Sequence, residues 1–199
     1  MLRSDIPASE IRQAVNVAQS IPGMFRRFEA AFLYRLAASC PGQIVEIGCY
    51  LGRSTSLLVQ ATRQHGGRVL SIDPFSAMPA GIKPATLDGM LANLSKHQLP
   101  APEVWEMTSD EGALRWQADP QPIALLFVDG LHSRAQVYRD LERWAPYVQP
   151  GGVVALHDCY HPNCPEVILA VAEWWAANRW QLLGLHDYTL AFMRREHDA

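Results

Sequence analysis

The chain has 199 residues, 49% of them hydrophobic, enough apolar material for one compact domain with a sizeable core. Its formal net charge of −3, without any lysine or arginine block, gives no electrostatic case for nucleic acid or an anionic membrane surface. Cys40, Cys49, Cys159 and Cys164 are irregularly spaced, MLRSDIPASE has no apolar signal core, and no segment approaches a membrane span. The expectation is a cytoplasmic protein with reduced thiols.

Ser9 to Ser20 places Ile11, Ala14, Val15 and Ala18 at helical spacing, and Pro22–Gly23 ends that run. Phe25 to Ala38 reads as a second helix with Phe28, Phe32, Leu33 and Leu36 on one face, closed by Pro41–Gly42. An apolar strand, Ile44, Val45 and Ile47, then ends in an acid and a glycine and leads through Gly52 and Ser54 into a helix over Leu51–His65. A strand, tight turn and helix start is how open α/β sheets hold nucleotide-like ligands against free N–H groups. Gly48 suits a turn that needs positive φ and close approach of a ligand.

The second strand, Arg68–Asp73, again ends in an acid, at about the spacing from Gly48 at which a carboxylate meets ribose hydroxyls. Pro74–Pro84 is a long Pro/Gly-rich loop, a candidate substrate lid, before a helix near Ala85–Lys96. Glu103–Met107 is a short third strand, and Ser109–Asp110 opens another helix, where Ser109 can serve as the N-cap. Ile123–Val128 is a continuous apolar run, the mark of a central parallel strand, ending at Asp129–Gly130. Ser133 opens a helix with Val137, Leu141 and Trp144 on one face; Pro150–Gly151–Gly152 turns the chain into a buried strand, Val153–Leu156, which ends at His157–Asp158. Glu166–Trp175 is helical, and Trp180–Leu185 with Tyr188–Arg194 reads as a closing antiparallel pair.

The turn fits neither a dinucleotide fingerprint, since Tyr50 stands where the second glycine belongs, nor a phosphate loop, whose lysine is replaced by Arg53 one residue early. Its pattern, E-x-G-x-Y-x-G-x-S, resembles motif I of class I S-adenosylmethionine (SAM) dependent methyltransferases, nearest the small O-methyltransferases of the catechol and antibiotic-tailoring types. The resemblance covers roughly Phe25 to Arg194 and is strongest at Ile44–Thr55 and Phe127–Asp158. It implies a Rossmann-like α/β fold with a mostly parallel seven-stranded sheet, an antiparallel C-terminal hairpin and extra N-terminal helices. The expected organisation is one domain over 1–199, with 1–41 a helical cap and 42–199 the core. In the family such helices cover the cofactor and shape the acceptor pocket; plain packing on the sheet is the alternative.

The resemblance further implies that Glu46, Gly48, Tyr50, Gly52 and Ser54 hold the methionine half of SAM, that Asp73 takes the ribose, and that Ser109 and Asp110 border the adenine. Glu46 could instead brace the loop. Asp129 belongs both to the cofactor site and to a metal site completed by Asp158 and His157, and His132 is the candidate base, with His157 and Asp129 also catalytic. Here the sequence departs from the family. Catechol-type enzymes place an amide where Cys159 stands, and tailoring enzymes place an acid where His157 stands. Mg²⁺ prefers oxygen, so an imidazole among the ligands favours Mn²⁺ or a later transition ion, and the metal stays open. Four strand-end acids, Glu46, Asp73, Asp129 and Asp158, are expected to converge on one crevice. HDCYHPNC also offers Asp158, Cys159, His161 and Cys164 to zinc, but lacks the second half of a zinc knuckle.

The implied function is SAM-dependent methylation of a hydroxyl on a small molecule (a phenol, sugar or natural-product intermediate), with metal assistance and homodimerisation open. The alternative is a SAM-binding tailoring enzyme that does not methylate. A nucleotide enzyme lacks its glycine pattern, and a pure interaction module has no use for the clustered acids.

Overall fold

The computed structural model describes residues 2–76, 84–178 and 180–195; most of the expected lid lies outside them. In chain order the elements are α1 (Ala8–Ser20), α2 (Arg27–Ser39), β1 (Gln43–Ile47), α3 (Arg53–Thr62), β2 (Arg68–Ile72), α4 (Leu87–Lys96) and β3 (Glu103–Trp105). There follow α5 (Ser109–Ala118), β4 (Ile123–Val128), α6 (Arg134–Trp144), β5 (Val148–Leu156), α7 (Pro165–Ala177), β6 (Gln181–His186) and β7 (Thr189–Met193). The seven strands form one sheet in the order β3-β2-β1-β4-β5-β7-β6, with β7 antiparallel to both of its neighbours and the other pairings parallel.

Alternation along each strand divides the core. Ile44, Val69, Leu125 and Phe127 face α1–α4, while Val45, Ile47, Leu70, Ile72, Leu126 and Val128 face α5–α7. Every residue of β4 is buried, as a strand covered on both faces requires. Two expectations need correction. Phe28 is 75% exposed, because the buried stripe of α2 runs through Glu29, Phe32, Leu33 and Leu36 and leaves Phe28 at its edge. Pro150–Gly152 does not precede β5 but lies inside it as a bulge: Ile123 pairs with Val148 and Leu125 with Val153, with Gly151 at φ +75°.

The chain's sense of travel across the sheet reverses between β1 and β4, the switch point outside whose carboxyl ends such sheets bind ligands. The loops leaving those ends stay in register. Gly48 donates its N–H to the Ile72 carbonyl, Asp129 to Ile47 and His157 to Val128, at 2.8, 2.8 and 3.0 Å. That register sets Asp129 and His157 side by side.

Candidate active site

The first half of the site is the turn after β1. Gly48, Tyr50 and Gly52 all have positive φ, at 83°, 47° and 90°. A Cβ on Gly48 would lie 2.2 Å from the Asp129 carbonyl oxygen, so glycine is required here by the neighbouring β4 loop rather than by a ligand. Gly52 makes room for Met90 of α4, whose Cγ would sit 3.0 Å from an added Cβ. Asp73 fastens the turn, its Oδ2 accepting the N–H groups of Cys49 and Tyr50 at 2.9 Å each and its Oδ1 that of Phe75 at 2.7 Å.

Glu46 is the exception among the four acids. Its side chain points into the sheet–α3 interface, is fully buried, and accepts hydroxyl protons from Ser54, Thr55 and Ser71 at 2.6, 2.7 and 2.6 Å. Burial raises its pKa to about 7 despite those three bonds. Glu46 and Ser54 thus form the floor of the turn, and Glu46 does not join Asp129 and Asp158 at the strand ends. Arg53 donates to the carbonyls of Ile21 and Phe25 at 2.8 Å each, stitching the N-terminal segment to the turn instead of facing an anion.

Ser109 and Asp110 open α5 two strands away. The N-cap is Thr108, with a capping box to Glu111, not Ser109. Ser109 donates to Asp140 at 2.6 Å and accepts from Gln136 at 3.1 Å, while Asp110 pairs with Arg143 at 2.9 Å.

The second half joins the ends of β4 and β5. His157 Nδ1 lies 3.1 Å from Asp129 Oδ1 and 3.3 Å from Asp158 Oδ2. His132 Nε2 lies 3.2 Å from Asp158 Oδ2 and 3.8 Å from Asp129 Oδ1, the latter a charge contact rather than a hydrogen bond. Two imidazole nitrogens and two carboxylate oxygens therefore share one small volume, and Asp129, His157 and Asp158 can serve together as metal donors. His132, Asp158 and Cys164 form a second such group, with Cys164 Sγ 3.4 Å from His132 Nδ1. Cys159 turns away into the core with its thiol pushed up to about 12 by burial, and His161 packs edge-on against Tyr188, so the four residues of the zinc reading do not assemble.

Electrostatics follow from this crowding. His157 is 5% exposed, and burial alone would depress its pKa; the facing Asp129, Asp158 and Glu29 outweigh that and hold it protonated well above the ordinary histidine range. Asp129, though desolvated, is in turn brought down to about 2 by the two histidines. His132 is raised, first by Asp129 and then by Asp158. Asp158 sits at φ +56°, a left-handed conformation that costs a non-glycine residue about 1–2 kcal/mol.

Glu29 is the site residue that strand-end reasoning missed. It comes from α2, has no solvent exposure, and sets Oε1 3.1 Å from His157 Nε2. The approach is off the ring's N–H line, so the attraction is Coulombic more than a directed hydrogen bond. Helical spacing held the signal: Glu29 falls at i+4 from Phe25 and i−4 from Leu33, on the apolar stripe. Phe25 completes the wall, its ring 4.7 Å from that of His157.

A family model described as a methyltransferase domain matches residues 45–159, from β1 through the β5 loop. Solved structures agree on the fold. The O-methyltransferase NovP superposes with a TM-score of 0.62 at 20% identity, over 94% of this chain and 78% of its own. An O-methyltransferase from Bacillus cereus in complex with S-adenosylhomocysteine (SAH) gives 0.66 at 18% identity, over 96% and 94%. The calicheamicin methyltransferase CalS11 gives 0.63 at 19% identity, over 96% and 95%. With that match spanning both halves of the site, the chain belongs to the methyltransferase-domain family.

Proposed function

We propose that the protein is a SAM-dependent O-methyltransferase acting on a hydroxyl group of a small molecule. One observation carries the reading: His132, Asp129, Asp158 and His157 converge one strand away from the glycine turn, in a chain of this family. The turn fits the cofactor. Its backbone is left-handed at three alternate positions, and it opens at the switch point with the partly exposed Asp73 beside it. Gly48, Tyr50 and Gly52 then hold the methionine half, over a floor of Glu46 and Ser54. Asp73 faces the ribose, and Ser109 and Asp110 border the adenine. When bound, the cofactor supplies an electrophilic methyl group on a sulfonium.

His132 is the base. Its Nε2 is buried, lacks a well-directed hydrogen bond and is partnered by carboxylates that raise its affinity for a proton. It takes the proton of the acceptor hydroxyl, and the resulting imidazolium is stabilised by Asp158 and Asp129. A bound cofactor would be held by the turn so that its methyl group could pass to this oxygen, with its bond to sulfur broken and SAH released, and positioning the two groups would supply most of the acceleration. Phe25 and Phe127 present an apolar wall that excludes water from this end.

A divalent cation fits the donors Asp129 Oδ1, His157 Nδ1 and Asp158 Oδ2, and would supply Lewis acidity that lowers the pKa of the acceptor hydroxyl. Because His157 holds its proton tightly, such binding competes with protons and strengthens as pH rises. A nitrogen donor suits Mn²⁺ better than Mg²⁺.

The N-terminal 41 residues act as a cap on a 42–199 core, a reading supported by the Arg53 and Glu29 contacts to the site. Free cysteines support a cytoplasmic setting, and no helix among the described residues is long and apolar enough to cross a membrane. Exposed Trp175, Leu182 and Leu185 on α7 and the edge strand β6 suit a homodimer contact.

The test is incubation with methyl-labelled SAM and a panel of phenolic and sugar hydroxyl acceptors, with EDTA or with added Mn²⁺. Labelled methyl ether and SAH are the expected products. Tight SAM binding without any turnover across the panel would favour the non-methylating alternative.

A further inference from the structure

Glu29 stands at the third position of α2, where glutamate commonly caps a helix. Capping uses only half of it: Oε2 accepts the Arg26 N–H at 2.8 Å. Oε1 is turned inward, accepts the Tyr188 N–H at 3.0 Å and lies 3.1 Å from His157 Nε2. A capping glutamate gains nothing from burial, which costs a carboxylate its hydration unless a charge or several donors compensate. Here the compensating charge is His157, whose other nitrogen faces Asp129 and Asp158.

We infer that Glu29 is a positioning residue: its carboxylate, fixed by Arg26 and Tyr188, stands against His157 Nε2 and holds the ring so that Nδ1 faces Asp129 and Asp158. The same carboxylate ties α2 and the turn between β6 and β7, through Tyr188, to the reactive end of the sheet. A carboxylate on the far nitrogen of a functional histidine fixes the orientation of its ring. The N-terminal helices thus contribute a working group to the site as well as covering it. The inference builds on the site proposed above, but its test needs neither cofactor nor turnover, so failure of the methyltransferase reading is distinguishable from failure here.

The experiment is imidazole ¹H–¹⁵N correlation NMR at neutral pH on the full chain, labelled at histidine nitrogens, with His157 assigned by His157→Gln. In the wild type His157 shows an Nε2–H signal protected from exchange with solvent. In Glu29→Gln, which keeps the size of the side chain and removes its charge, that signal is lost and the Nδ1 resonance moves. The His65 and His97 signals stay in place. Unchanged His157 nitrogens in a folded Glu29→Gln protein would reduce Glu29 to a cap and overturn the inference. Should that variant fail to fold, the wild-type spectrum decides alone: an unprotonated or freely exchanging Nε2 on His157 contradicts it.

Discussion

The two halves of the site are built on opposite terms. Under the β1 turn every oxygen of Glu46 has a hydroxyl donor, and Asp73 accepts three backbone N–H groups. At the ends of β4 and β5, three carboxylates and two imidazoles crowd together, Asp158 holds a strained backbone, and two buried histidine nitrogens lack directed partners. A satisfied network keeps a turn rigid for a ligand that binds and leaves unchanged in its contacts. An unsatisfied one stores charge and strain that a reacting group can relieve. On the function proposed above, the difference gives rigidity to the cofactor side and chemistry to the acceptor side.

If that division holds, the largest effect on catalysis comes from the crowded half. Asp129→Asn removes the charge common to both histidines, and kcat for methyl transfer should fall by on the order of 10²-fold or more. The melting temperature should fall as well, because the charge that the two histidines hold ionised and that compensates buried His157 is lost. Steady-state assays paired with thermal melts would check this, and a large loss of stability with normal kcat in the folded protein would reverse the assignment.

The rigid half should respond in stability instead. Gly48→Ala drives a Cβ into the Asp129 carbonyl at a positive φ, and should cost about 3 kcal/mol or more of unfolding free energy in urea titrations. A cost below 1 kcal/mol would mean that the two loops part easily and that the turn is not the fixed platform described here.

A smaller effect is carried by Glu46. Its pKa is raised by burial from 4.5 to about 7, so the folded state holds the proton more tightly than the unfolded chain does. The associated stability is fully present below the unfolded pKa and is lost as pH rises through about 7. Glu46→Gln cannot titrate, so the fall in wild-type stability between pH 5 and 8, on the order of 2 kcal/mol from this group, should be largely absent in the variant. Parallel pH–stability curves for the two proteins would contradict the raised pKa of Glu46.

Backbone turns and strand ends were legible in the sequence and side-chain directions were not, for a physical reason. Positive-φ turns and strand-end acids are local features, so Gly48, Gly52, Asp73, Asp129 and Asp158 could be placed from spacing and resemblance. Register then did the rest, because parallel strands of matched length bring their C-terminal loops level. What spacing could not show is which way a side chain turns. Glu46 lies two residues before its glycine, and strand alternation sends it into the α3 interface while Asp73 and Asp129 leave the sheet. Cys159 likewise follows two site residues yet faces the core. Glu29 was hidden by distance along the chain: it meets His157 only because α2 packs across α3 and reaches the turn between β6 and β7. Its place on an apolar helical stripe was the available sign.

The most direct test separates the halves in one protein. Calorimetric titration with SAH should show binding in the wild type that survives in His132→Ala, while His132→Ala loses methyl transfer by on the order of 10²-fold. That pairing is what a rigid cofactor platform beside a separate proton-handling cluster requires. Absence of any SAH binding by the wild type, or loss of binding and activity together in His132→Ala, would contradict the account.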